Sequence, residues 1–216
     1  MKKYIITIAI ILGLVISAFS QKVIDKKIEV GVKFTEMKLS FADNITIEAW
    51  NNNYIELHAS ANIDDNQYND FYALNVNEKS GKIEIEEKVD FEGIKKKIGA
   101  KNLQNFNTEI SYKLKIPKNL NFDVNTISGE IELIGCEGEM NVKSVSGFID
   151  YSIPEKHTTK IDLSTVTGNV YSNVKFDNSL PKEISWVGTK SELTLNGGNK
   201  DVELKTVSGD IYLRKY

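Results

Sequence analysis

The amino-acid sequence predicts an all-β solenoid, and three observations carry that prediction. Runs in which apolar and polar residues alternate with a period of two recur from Ile28 to the C-terminus, whereas helical periodicity is hard to find. A short phrase recurs in the second half as Thr126-Ile127-Ser128-Gly129-Glu130-Ile131, Ser144-Val145-Ser146-Gly147-Phe148-Ile149, Thr165-Val166-Thr167-Gly168-Asn169-Val170 and Thr206-Val207-Ser208-Gly209-Asp210-Ile211. Its glycines stand 18, 21 and 41 residues apart, and the doubled last interval holds a fifth, degenerate copy over 184–195 with Ser191 in the glycine slot. Five units of about 20 residues match the period at which solenoid coils stack.

Taken in order, residues 1–20 read as a signal peptide. Lys2 and Lys3 precede an apolar run from Ile5 to Ile16, and Ala18-Phe19-Ser20 supplies small residues before Gln21. The run is shorter than the roughly 20 residues of a membrane-spanning helix, so no transmembrane anchor is expected after cleavage. Residues 21–216 then read as one domain, with N-terminal strands, a hairpin and a loop over 21–120 and repeat coils over 121–216. Cleavage leaves 25 basic against 30 acidic residues, a formal charge of −5. A mildly acidic surface lacks the basic face that would neutralise phosphates, which excludes nucleic acid as the expected partner. The lone Cys136 can form no disulfide within the chain, so packing must hold the fold.

Four alternating runs open the domain: Ile28, Val30, Val32 and Phe34; Met37, Leu39 and Phe41; Ile45, Ile47 and Ala49; Ile55, Leu57, Ala59 and Ala61. Leu74 and Val76 lead through Ser80-Gly81 to Ile83 and Ile85, the pattern of a tight hairpin. Between Glu86 and Thr108 the alternation fails, and Lys95-Lys96-Lys97 reads as part of a solvated excursion. Ile110, Tyr112, Leu114 and Ile116 resume the strand character that Pro117 ends.

Within each unit the period of two breaks phase around the glycine. A bend there is expected to keep Val202, Leu204, Val207, Ile211 and Leu213 all inside. Stacking would align Phe122, Met140, Ile161, Ile184 and Val202 in one column, and Val124, Val142, Leu163, Trp186 and Leu204 in the next. Ile131, Ile149, Val170, Leu193 and Ile211 would follow the bend, each buried member contributing about 1.5–3 kcal/mol. Thr126, Ser144, Thr165, Gly188 and Thr206 form a small column whose hydroxyls are placed to bond along the stack. Outside the core run Asp123, Asn141, Asp162, Ser185 and Glu203, and Glu132, Asp150, Tyr171, Thr194 and Tyr212. Acidic ladders can bind calcium or sugar hydroxyls and exposed tyrosines can stack on sugar rings, but neither column has the dense carboxylate cluster that calcium requires. The final strand, Asp210 to Leu213, would end the stack with an unpaired edge guarded by Arg214 and Lys215.

Catalytic chemistry finds no constellation. His58 and His157 read as ordinary surface or edge residues without a nucleophile at usable spacing. Two distant histidines and one cysteine make no metal site, and no glycine-rich loop precedes a helix to cradle phosphate. No catalytic, cofactor-binding or metal residue is therefore assigned. The alternative to a non-catalytic binding or structural role is a polysaccharide lyase or glycoside hydrolase, which would need two carboxylates such as Asp150 and Asp162 to converge in a groove.

The Thr206–Ile211 phrase and its variants, the lead-in Ile116-Pro117-Lys118-Asn119-Leu120, and Asn44-Ile45-Thr46-Ile47-Glu48-Ala49-Trp50-Asn51 followed by Ile55-Glu56-Leu57 resemble the "putative adhesin" family of bacterial envelope proteins, which includes the head-domain GIN autotransporter-adhesin relatives. The resemblance covers about residues 39–63 and 109–216. It implies a single-domain right-handed parallel β-helix or β-roll, exported by a bacterium, with a protein or glycan partner in the cell envelope and no catalytic residues. The chain stops at Tyr216 without a recognisable barrel or sorting domain, so periplasmic, cell-surface and secreted locations are all compatible.

Overall fold

The computed structural model describes residues 20–31, 34–99, 106–178 and 189–216. The signal-peptide reading of residues 1–20 lies almost wholly outside the described residues, as does the 184–188 part of the degenerate copy, with its column members Ile184, Ser185, Trp186 and Gly188. The N-terminal half supplies β1 (Lys22–Glu29), β2 (Phe34–Lys38), β3 (Asn44–Trp50), β4 (Tyr54–Ile63), β5 (Tyr72–Lys79), β6 (Lys82–Val89), helix α1 (Phe91–Ile98) and β7 (Thr108–Pro117). The recurring phrases join β8 (Asn121–Thr126) to β9 (Glu130–Ile134), β10 (Met140–Ser146) to β11 (Ile149–Ile153) and β12 (Thr159–Thr167) to β13 (Val170–Ser172). After β14 (Thr189–Leu195), the last phrase joins β15 (Asp201–Ser208) to β16 (Ile211–Lys215).

These strands build two eight-stranded sheets, ordered β1-β4-β7-β3-β9-β11-β16-β13 and β14-β12-β15-β10-β8-β2-β6-β5. Both are mixed. From β7 to β13 in the first sheet and from β12 to β6 in the second, neighbours run parallel; β1 and β4 in the first sheet, and β5 and β14 in the second, add antiparallel flanks. Every strand that precedes a Ser/Thr-Gly corner lies in the second sheet and every strand that follows one lies in the first, so the two sheets enclose one continuous apolar core.

This architecture corrects the right-handed parallel β-helix or β-roll of five successive coils. The fold is all-β, but it is two large mixed sheets, and its strand pairs do not stack in chain order. The last pair, β15 and β16, sits between β10/β11 and β12/β13. The units share one pattern, so any two can pair in register, and the chain uses that freedom. Leu204 does not belong to a terminal coil; it lies opposite Val142 on one side and Leu163 on the other. The degenerate copy is not a coil either. Its described strand, β14, runs antiparallel to β12 and puts Leu193 opposite Ile161 rather than in the column after the bend. Strand β16 is consequently interior, and the unpaired terminal edge expected at Asp210–Leu213 does not exist.

The corners explain the glycines. At Gly147 φ is +115°, and a Cβ there would fall on the carbonyl oxygen of Gly129 in the adjacent pair, far inside van der Waals contact. Backbone therefore packs directly on backbone along the corner. The small column adds hydroxyl bonds, partly between pairs: Thr206 Oγ1 donates to Gly147 O at 3.3 Å and Thr165 Oγ1 to Gly209 O at 3.1 Å, while Ser144 Oγ donates within its own corner to Ser146 O at 2.8 Å. The next residue faces out. Ile127, Val145, Val166 and Val207 are 48–55% exposed, contrary to the expected inward bend, because the strand keeps its alternation one residue beyond the buried Thr or Ser before the glycine turns it.

The hairpin joins β5 to β6 with Lys79 opposite Lys82, and both turn residues, Ser80 (φ 53°) and Gly81 (φ 77°), take positive φ. Part of the expected excursion is ordered as α1. Asp90 caps it by accepting from Gly93 N at 2.8 Å, Ile94 is buried, and Lys95–Lys97 occupy the last turn, where they complement the helix dipole.

Candidate functional site

Two outer faces remain after the core is closed. On the second sheet, Glu84, Glu36, Asp123, Asn141, Glu203, Asp162 and Glu192 stand in register on successive strands. The sequence column of Asp123, Asn141, Asp162 and Glu203 is thus brought together, in a different order and lengthened by three glutamates from other strands. Lysines neutralise much of it: Lys82 Nζ lies 2.6 Å from Glu36, Lys38 Nζ 2.6 Å from Glu84 and Lys160 Nζ 2.9 Å from Glu192, and Lys205 pairs with Glu203. Hydrogen bonds from Lys82, Lys38 and Lys205 hold Glu36, Glu84 and Glu203 respectively below the usual carboxylate range, whereas burial pushes Asp123 up. Among the described residues no group of three or more His, Cys, Asp or Glu is arranged to hold a metal ion. The ladder is a solvated, lysine-compensated sheet face.

On the first sheet the outward residues change character from one edge to the other. Near β1 they line a groove of about 560 Å³ that includes Asp25, Lys27, Thr46, Glu48, Glu56, His58, Lys113 and Lys115. His58 Nδ1 lies 2.6 Å from Asp25 Oδ1 across the β1/β4 pair, and both are exposed. The column then runs through Thr46, Glu132 and Asp150 to Tyr212 and, on the edge strand β13, Tyr171.

That far end carries a surface cluster of half-buried and exposed side chains. The rings of Tyr171 and Tyr212 stack with centroids 5.2 Å apart and planes 14° apart. Phe148 meets Tyr212 edge-on at 5.9 Å, and the Arg214 guanidinium lies 5.2 Å from the Tyr212 centroid. Arg214 Nε donates to both Asp150 oxygens, at 2.9 and 2.6 Å, and the Tyr212 hydroxyl donates to Asp210 Oδ2 at 3.2 Å. Partial burial, then the bond to Asp210, raises the Tyr212 phenol above its ordinary value, so it remains a donor at neutral pH. Asp210 Oδ1 also accepts from Asn169 N at 2.7 Å, and Asn173 Oδ1 accepts from Lys215 N at 2.8 Å. Tyr171 itself is 48% exposed. Such a cluster can present a fixed aromatic face with polar groups around it; it has no nucleophile-base pair.

The remaining sequence candidates are scattered. Thr194 leaves the tyrosine column, because β14 belongs to the other sheet. Asp150 and Asp162 point from the outer faces of different sheets and do not face each other across a cleft. His157 is buried rather than at the surface; burial lowers its pKa, and its Nε2 has no hydrogen-bond partner among the described residues. Cys136 is buried and its thiol is pushed up to about 12 by burial. Sequence reasoning missed Phe148, Asp210 and Arg214 as members of one cluster with the tyrosines, and the signal that could have found them was their equivalent positions just after the glycines and along β16.

The profile of the Toastrack DUF4097 family matches residues 120–214. No curated protein matches the chain. A solved structure described as a putative cell adhesion protein from Clostridium sporogenes superimposes with a TM-score of 0.55 at 14% identity, covering 91% of this chain and all of that one. One described as a putative lipid binding protein from Parabacteroides distasonis gives a TM-score of 0.29 at 16% identity, covering 70% of each chain, and a putative adhesin from Bacteroides fragilis gives 0.24 at 12%, covering 91% and 98%. No helix among the described residues is long and apolar enough to cross a membrane. From β8 to β16 the chain is thus similar to the Toastrack DUF4097 family, and it shares its fold with the Clostridium protein.

Proposed function

We propose that this chain is a non-catalytic, exported protein of the bacterial envelope that binds a partner through the outer face of its first sheet. The observation that carries the reading is the surface aromatic cluster in which the exposed Tyr171 rests on the half-buried Tyr212 and Phe148, held in place by Arg214, Asp150 and Asp210. Surface rings fixed by neighbours lose little conformational freedom on binding, which favours recognition. The leader-like residues 1–20 support export. A cell-adhesion role for the Clostridium protein of similar fold would be compatible with a binding role here and adds nothing about the partner.

Two measurements test this together. Fractionation of the native cells should place the chain outside the cytoplasm with residues 1–20 removed. Cross-linking in intact cells should then capture a discrete partner, with the cross-links mapping to β11, β13 and β16. A cytoplasmic, uncleaved chain, or cross-links confined to the second sheet, would refute the proposal.

A further inference from the structure

We infer that the Tyr171 ring is a stacking platform for a pyranose ring, so that the ligand at this face is a neutral glycan; the inference rests on the binding role proposed above. Tyr171 lies on β13, the last strand of its sheet among the described residues. One face of its ring is covered by Tyr212 at 5.2 Å; among the described residues no ring or cation meets the other face, and Tyr171 is 48% exposed on this edge strand. The platform is pre-organised from behind. Tyr212 is held by a T-shaped contact with Phe148, by the Arg214 cation and by its bond to Asp210, and Arg214 is held in turn by Asp150.

The chemistry around the free face decides between ligands. An aromatic ring is electron-rich on its face, and the axial C–H groups on one side of a pyranose are weakly electropositive and apolar, so the two lie flat on each other. The hydroxyls at the sugar's rim then need donors and acceptors at the ring's margin. Asn173, two residues on and just past the end of β13, is exposed; its Oδ1 is used by Lys215 N, and its Nδ2 has no partner among the described residues. The Tyr171 hydroxyl can both donate and accept. A protein partner would call for a broad apolar centre with a polar rim, whereas here a single open ring is bordered at once by polar groups, an area that one sugar residue covers. Arg214 is paired with Asp150, while Asp210 keeps its negative charge and is solvated, among the described residues, only by neutral donors, the Tyr212 hydroxyl and the Asn169 amide, so an anionic glycan is disfavoured and a neutral one is not.

The test is a titration of the purified full chain, followed by NMR, with four neutral oligosaccharides at millimolar concentration: cellopentaose, mannopentaose, a galacto-oligosaccharide and N-acetylchitopentaose. At least one should bind with shifts centred on β13 and β16. Tyr171→Ala should weaken that binding by about tenfold or more and Tyr171→Phe should keep it within about threefold, while Tyr171→Ala, which also loses the ring pair with Tyr212, should stay folded with a melting temperature lowered by only a few °C. Absence of binding by all four sugars, or binding that Tyr171→Ala leaves intact, overturns the inference. Cross-linking in cells with Tyr171→Ala separates the two claims. A partner still captured through the first sheet would leave the binding role standing while removing the platform, and loss of capture would support both.

Discussion

The position of the last strand pair makes Leu204→Ala the sharpest perturbation of this fold. In a stack built in chain order, Leu204 would belong to a terminal coil with solvent on one side, and its truncation would be mild. Here its side chain is fully buried, in register with Val142 on one flank and Leu163 on the other, with Val202 and Thr206 beside it on the same face. Removing buried leucine atoms costs the lost transfer energy plus a cavity term, and parallel strands pinned on both sides can collapse little into the gap. That places the loss in the upper part of the usual range, about 3–5 kcal/mol. For a chain of this size each kcal/mol moves the melting temperature by about 2–4 °C, so a fall of about 6–20 °C is expected. Urea unfolding followed by circular dichroism reads the free energy, and amide hydrogen exchange reads the cause. The amides of Val202–Thr206 should exchange only with global unfolding, as interior strands do. A loss below about 1 kcal/mol, or exchange of those amides at the rates of a fraying end, would refute the inserted order.

Three further perturbations address other parts of the structure. Gly147→Val should lower the melting temperature far more than Lys96→Ala, because a side chain at φ +115° meets the Gly129 carbonyl, whereas Lys96 is exposed on α1; equal melting temperatures would contradict the packed corner. Glu87 is buried, accepts hydrogen bonds from Tyr112 Oη at 2.8 Å and Phe41 N at 2.8 Å, and has its carboxyl raised above the ordinary range by burial. The folded state therefore binds its proton more tightly than the unfolded chain does. The stability this contributes is complete below the ordinary glutamate value of about 4.3 and is lost as pH rises through the raised value. Glu87→Gln should flatten the dependence of melting temperature on pH across that window, and an unchanged slope would show that another group is responsible. Cys136, buried with its thiol near 12, should react with a thiol reagent only as the protein unfolds; rapid labelling under native conditions would mean that the β9–β10 connection opens locally.

Much of the local structure was legible. The period of two located the strands, Ser80-Gly81 located the hairpin, and the core positions of the recurring units are the buried ones: Phe122, Met140, Val202 and Ile161 do form one column. The helix was missed, although Asp90 followed by Phe91, Ile94 and Ile98 is a cap and an apolar stripe at helical spacing. It was obscured because three lysines and a run of polar residues dominate the segment. The exposed Ile127, Val145, Val166 and Val207 could not be assigned correctly from hydropathy, because a branched aliphatic residue suits the strand backbone at a corner whether or not it is covered.

The order of the strand pairs was not legible for a more basic reason: like units interact equally well with any of their kin, so a repeated pattern specifies register without specifying sequence of stacking. That ambiguity is also what builds the candidate site. In chain order, Tyr171 and Tyr212 would be separated by the unit carrying Thr194, with rings two strand spacings apart, roughly 10 Å, too far to touch. Because β14 turns away and β16 slips in beside β13, residues 41 positions apart become direct neighbours and their rings stack. The same insertion brings Arg214 beside Asp150 and places Phe148 against Tyr212. A chain whose last unit docked at the end of the stack would keep every core column and lose this cluster, so the stacking order, which core packing leaves open, is the feature on which the cluster depends.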